Sequence, residues 1–192
     1  MPRVLVPLAP GFEEIEAVTI IDVLRRAGVT VDVAGTEPGP ITGSHGITVT
    51  PDHPLSGLDA DAYDLIALPG GMPGTLHLRQ HPEVRRLVHE LAERGRFTTA
   101  ICAAPTVLAA AGVTAGRAVT SHPSVEGELA AAAGSYRTDP VVVDGSVITS
   151  RGAGTAMEFA LALVERLVGR TTADHLRAHM VVAPAAGGGA AP

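Results

Sequence analysis

The sequence predicts a single α/β domain built on a mostly parallel sheet, and three observations carry that prediction. Val4 to Leu8 and Tyr63 to Leu68 are short, continuous apolar runs, the pattern of strands buried on both faces. Glu13 to Gly28 reads as a helix matched to its own dipole, with acids crowding the first turn, Arg25-Arg26 in the last and Gly28 closing it. Val29 to Ala34 then alternates as the next strand, so the chain opens βαβ, and a right-handed crossover makes its two strands parallel neighbours.

Composition sets the bounds. At 192 residues the chain is long enough for one domain with a sizeable core, predicted over residues 1–182. A hydrophobic content of 46% with only 3% aromatic residues and no Trp implies a core of Val, Leu, Ile and Ala. The net charge of −6 leaves no basic stripe to neutralise phosphates, which excludes a general nucleic-acid binder and favours small-molecule partners. One cysteine excludes an internal disulfide and a Cys-based zinc site, and fits a reducing compartment. The apolar start runs into Glu13-Glu14 before a signal-peptide core forms, and no segment approaches the roughly 20 apolar residues of a membrane span. These features predict a cytoplasmic protein with no membrane partner.

Beyond the opening βαβ unit, residues 36 to 60 are irregular, with a short strand or excursion at Ile47-Thr48-Val49-Thr50. The strand at Tyr63 to Leu68 ends in Pro69-Gly70-Gly71-Met72-Pro73-Gly74. There the glycine pair either lets backbone N–H groups approach a ligand or makes a tight turn needing positive φ. A helix from Pro82 to about Arg94 leads to the β-branched run Phe97-Thr98-Thr99-Ala100-Ile101, and an Ala/Leu-rich helix follows Pro105. Arg117 to His122 reads as a short strand whose terminal histidine Pro123 biases away from helix, onto the catalytic edge of a parallel sheet. Asp144-Gly145 joins two apolar runs, Val141 to Val143 and Ser146 to Thr149, as a hairpin. Helices at Ala156 to Val168 and about Thr172 to His179 precede an Ala/Gly/Pro tail, 183–192, predicted to stay disordered.

The candidate chemistry centres on Cys102, held between the strand and Ala103-Ala104-Pro105. A thiolate at a helix N-terminus faces unpaired N–H groups and the positive end of the dipole, and the small alanines leave it approachable. On the turn alone Cys102 is equally a small apolar residue ending a core strand. Similarly, Glu16 is by itself an ordinary acid in a helix's first turns. His77, His81 and His89 lie in or near a polar helix and read as solvated, and no His-Glu-x-x-His or comparable spacing occurs, so no metal is expected.

Taken together, Gly11-x-Glu13-Glu14-x-Glu16, Leu68-Pro69-Gly70-Gly71, Ala100-Ile101-Cys102-Ala103-Ala104-Pro105, Thr120-Ser121-His122-Pro123 and Thr149-Ser150-Arg151-Gly152-x-Gly154-Thr155 resemble the DJ-1/ThiJ/PfpI superfamily, in its DJ-1-like branch. The resemblance implies a flavodoxin-like three-layer sandwich of the class I glutamine amidotransferase type. It places Cys102 on the family's reactive elbow cysteine, Glu16 on the carboxyl against its sulfur and His122 on the nearby histidine. Gly70, Gly71 and Ala103 fall on the oxyanion pocket. Asp22 falls on an acid near the histidine of the other subunit, and Arg26 on a basic residue near the dimer interface, so a homodimer is implied. One departure is His45, where some relatives carry an arginine near the pocket; the further cysteines of the animal members are also missing.

The activity implied is that of a glyoxalase III or deglycase acting on reactive carbonyls such as methylglyoxal, with Cys102 as nucleophile and no cofactor, because the reaction is an internal redox exchange. Three alternatives stand beside it. One is an oxidative-stress-responsive protein whose thiol is oxidised, with a chaperone-like output. Another is a hydrolase or hydratase of the superfamily, the hydratase branch being expected to carry Asp in place of Glu16. The last is a specialised biosynthetic reaction on the same fold.

Overall fold

The computed structural model describes residues Met1–Ala183; the tail from 184 onward lies outside the described residues. A seven-stranded sheet is assembled from β1 (Arg3–Leu8), β2 (Thr30–Gly35), β5 (His53–Pro54), β6 (Leu65–Leu68), β7 (Phe97–Ile101), β10 (Val141–Asp144) and β11 (Val147–Ser150). Its order is β10-β11-β7-β6-β1-β2-β5, parallel except for the β10–β11 hairpin, which turns at Gly145-Ser146, one residue later than the Asp144-Gly145 read from the sequence, because Asp144 still pairs with Val147. The chain leaves β1 toward β2 on one side and later fills β6, β7 and β11 on the other. That reversal places a crevice at the carboxyl ends of β1 and β6, where open α/β sheets bind ligands.

Both faces of the sheet are covered, which explains the continuous apolar runs. Val4, Val6, Leu8, Leu65 and Ala67 face one core with Ile20, Val23 and Leu24 of α1 (Glu14–Arg26), Phe159 and Leu163 of α6 (Ala156–Val168) and Leu176 of α7 (Arg170–His179). Leu5, Ile66, Leu68 and Ala100 face the opposite core with Val84, Leu87 and Leu91 of α3 (Pro82–Glu93) and Val107 and Leu108 of α4 (Pro105–Ala110). Alternate residues of each strand thus enter alternate layers, as a period of two requires. No helix among the described residues is long and apolar enough to cross a membrane.

The short strand expected within Ile47 to Thr50 is present as β4 (Thr48–Val49), paired antiparallel with β3 (Ile41–Thr42). Other sequence expectations are corrected. Two helices go unforeseen, α2 (Gly74–Gln80) and α5 (Glu126–Ala132), because each is only seven residues long, too short to show an amphipathic period, and each contains a glycine, Gly74 and Gly127. The strand expected to carry His122 shrinks to β8 (Ala118–Val119), which pairs with β9 (Ser135–Tyr136) outside the main sheet. Ala118 N–H donates instead to the Asp144 carboxylate at 2.8 Å, fastening this ribbon to the hairpin. His77 is also tied down, its Nδ1 lying 2.9 Å from the Pro10 carbonyl oxygen.

Candidate active site

Register places the glycine pair beside the cysteine. Leu68 pairs with Ala100 in the parallel β6–β7 ladder, so two residues on, Gly70 lies next to Cys102. Cys102 takes φ 64°, left-handed backbone that a non-glycine residue adopts at a cost of about 1–3 kcal/mol. Its peptide is held at both ends: Cys102 N–H donates to the Ser150 carbonyl at 3.0 Å, and its own carbonyl accepts from His122 N–H at 2.8 Å. Ala104 N–H closes the turn onto Ile101 O at 3.0 Å, and Pro105 opens α4. The strand-to-helix elbow read from the sequence is therefore present, with the half-buried thiol at its apex.

Gly70 is required by space. A Cβ there would lie 2.7 Å from the Cys102 Cβ and 2.9 Å from Glu16 Oε2. Gly71 is required by conformation, at φ 93°, and by the backbone of Gly11 and Glu13, which a Cβ would strike. The Gly71 and Ala103 N–H groups are aimed at the Cys102 sulfur. Two such donors stabilise negative charge on the sulfur.

Glu16 sits in the first turns of α1 but is not an ordinary helix acid, because it is 0% exposed. Glu13 occupies the N-cap and accepts from Glu16 N–H at 2.8 Å, which fixes the start of the helix. One carboxyl oxygen accepts the Gly70 N–H at 2.8 Å; the other has no hydrogen-bond partner among the described residues. Burial pushes the Glu16 pKa up to about 7, against the Gly70 N–H and the Cys102 thiol, which favour its charge. Burial, and then the charge of an ionised Glu16, push the Cys102 thiol up to about 12, against the Ala103 and Gly71 N–H groups. Each anion thus disfavours the other. A proton left on Glu16 faces the sulfur and removes the repulsion that raises the thiol.

His122 is drawn to this centre by its backbone bond to Cys102 O, and its ring lies over Gly152, where an added Cβ would come within 3.6 Å of Cδ2. Asp22 and Arg26 are not part of the cluster within one chain. Asp22 stands six residues beyond Glu16, roughly 9 Å along the helix axis, and pairs with Arg26 at 2.7 Å on the exposed face of α1.

Glu14 is the residue the sequence did not single out. Nearly buried, it accepts from His45 N–H at 2.6 Å and Ile47 N–H at 3.3 Å, with Ser44 Oγ at 3.3 Å and His45 Nδ1 at 3.0 Å on its second oxygen. Burial opposes its charge, but these donors hold its pKa at about 2. Glu13, Glu14 and His45 each offer a ligand atom within 4.8 Å of the others, yet both Glu14 oxygens already serve the 44–47 loop, so the cluster is a strap between that loop and α1. Three acids in four residues look alike as sequence, and no local signal separates the strap from the inward-facing carboxyl.

The chain is similar along nearly its whole length to proteins named DJ-1. It is 41% identical over 180 residues to the protein dj-1beta of Drosophila melanogaster, covering 93% of this chain and 96% of that one. The crystal structure of Drosophila melanogaster DJ-1beta superimposes with a TM-score of 0.91 at 40% identity, over 95% and 99% of the two chains. A Caenorhabditis elegans protein named glutathione-independent glyoxalase DJR-1.2 is 41% identical over 157 residues, covering 82% of this chain and 83% of that one. The model of the DJ-1/PfpI family matches residues 2–166, from the first strand through the helix that closes the core, and with this sheet order and this elbow the chain belongs to the DJ-1/PfpI family.

Proposed function

We propose that the protein is a cysteine-dependent glyoxalase or deglycase that acts on small reactive carbonyls without a cofactor, converting methylglyoxal to lactate. The observation that carries this reading is Glu16, fully buried against the Cys102 thiol with its pKa near neutrality. A carboxyl in that state both gives and takes a proton at working pH. The name of the nematode relative supports the reaction class.

In this reading the Cys102 thiol passes its proton to Glu16 and the thiolate adds to the aldehyde carbon. The oxygen that gains the electron pair is met by the Gly71 and Ala103 N–H groups, then protonated by Glu16 to give a hemithioacetal. The carboxylate so regenerated takes the proton from that carbon, the electron pair forms an enediolate with the neighbouring carbonyl, and Glu16 returns the proton to the second carbon as the hydroxyl proton of the first carbon passes to the second oxygen. A thioester results, and water hydrolyses it to the hydroxy acid and the free thiol. The sum is methylglyoxal plus water to lactic acid, with one carbon oxidised and its neighbour reduced. His122 assists at the substrate oxygens.

The test is lactate formation by the purified protein without glutathione or metal, beside Cys102→Ser and Glu16→Gln. Turnover that both substitutions abolish is the expected result. Wild type no faster than the variants refutes it and leaves peroxide oxidation of the thiol as the leading reading.

Ile15 and Val18, 58% and 47% exposed on α1 beside the Asp22–Arg26 pair, supply an apolar face consistent with a homodimer. The test is mass by light scattering, with Val18→Asp expected to give monomers; a monomeric wild type overturns the dimer. The single cysteine supports a reducing, cytoplasmic setting.

A further inference from the structure

We infer that Ser124 is a positioning residue that fixes the tautomer of His122, making the imidazole a hydrogen-bond donor through Nε2 rather than a base toward Cys102; its catalytic consequence rests on the carbonyl reading above. His122 caps the 3-10 turn Pro123–Val125 from extended backbone, at φ −62° and ψ 140°. Proline has no N–H, so the first orphan donor of the turn belongs to Ser124, and it points at His122 Nδ1 at 3.2 Å. Ser124 Oγ lies 2.8 Å from the same nitrogen. The imidazole thus does here what an Asn or Asp oxygen does at an ordinary N-cap.

The backbone donor sets which tautomer is favoured, and the shorter hydroxyl contact at 2.8 Å supplies most of the preference. A hydroxyl rotates to suit its partner, but the Ser124 N–H is fixed by the turn, which Val125 N–H closes onto His122 O at 3.1 Å. A hydrogen on Nδ1 would face that N–H head on, so Nδ1 presents its lone pair and the Ser124 hydroxyl turns to donate as well. In the neutral ring the proton is then on Nε2. No described residue hydrogen-bonds Nε2, and Cδ2, its neighbour in the ring, lies beside Gly152. The ring is exposed in the single chain, which leaves Nε2–H to donate to an acceptor oxygen brought to it.

The division of labour follows. Glu16 carries the proton between carbons, and His122 supplies a directed N–H to the hemithioacetal or enediol oxygen. The decisive experiment is long-range proton–nitrogen correlation NMR on protein labelled with nitrogen-15 at histidine, near pH 8 and without substrate, for wild type, Ser124→Ala and Ser124→Thr. The expected wild-type signature is Nε2–H with an unprotonated Nδ1. Ser124→Ala, keeping one donor of two, shifts the ring toward a mixture, and Ser124→Thr restores it. In parallel, Ser124→Ala lowers kcat for lactate formation about threefold to tenfold with KM little changed, and threonine rescues it. A wild-type ring protonated on Nδ1 overturns the inference, as does an alanine variant whose signature does not move. Because the tautomer is read without turnover, failure of the glyoxalase reading is distinguishable from failure of this one.

Discussion

Replacing Glu16 by Gln probes fold and chemistry with one atom. Gln keeps an oxygen to accept the Gly70 N–H and presents an NH2 toward the sulfur, imitating the protonated acid. The wild-type carboxyl has its pKa raised from 4.5 to about 7 in the folded protein. A raised carboxyl favours the folded state while protonated, and that contribution is lost as pH climbs from 4.5 through about 7. At 1.36 kcal/mol per pKa unit the loss is about 3 kcal/mol when complete. Glu16→Gln, which has no proton to lose, is therefore expected to gain on wild type as pH rises, by about 1 kcal/mol near pH 5 and about 3 kcal/mol above pH 8. Urea denaturation of both proteins at several pH values measures the difference, while turnover of the variant falls to background. An advantage that stays constant from pH 5 to 8.5 would refute the reasoning, because it would mean that Glu16 titrates alike in the folded and unfolded chain.

Gly70→Ala drives a Cβ to 2.7 Å from the Cys102 Cβ and 2.9 Å from Glu16 Oε2, so it is expected to cost about 1–3 kcal/mol and most activity, read by melting and lactate formation together. Gly71→Ala adds left-handed strain and a collision with the Gly11 and Glu13 backbone, which cannot swing aside, and should destabilise more than Gly70→Ala. Glu14→Gln removes a carboxylate held at about 2; its contribution is present above pH 4.5 and lost as pH falls through 2. The variant is thus expected to be less stable at neutral pH by about 2 kcal/mol, with the gap closing in acid, and equal stability at pH 7 would refute the strap.

Much of the fold was legible because local and global preferences agree. The Val4–Leu8 run, the charge-ordered α1 and the Asp-Gly hairpin each carry a strong local signal, and each occurs where it was read, the hairpin's turn to within one residue. The elbow at Cys102 was equally legible, since strand, small residues and proline leave few other geometries. What failed was short local sequence: α2 and α5 span seven residues each, too few to show a period, and β8 pairs with β9 apart from the main sheet, its Ala118 N–H held by the Asp144 carboxylate.

Within the site the limit is sharper. The sequence alone determined that there is one thiol, that it ends a buried strand, and that glycines follow the neighbouring strand. Only the tertiary structure decided which acid of Glu13, Glu14 and Glu16 does what. All three lie in one turn, but the first caps the helix, the second straps the 44–47 loop and the third is sealed against the sulfur. It likewise decided that Ser124 meets the histidine within the chain. The physical reason is that periodicity and propensity describe a residue's own backbone, whereas burial, proton affinity and tautomer are set by atoms brought from strands and loops distant in the chain.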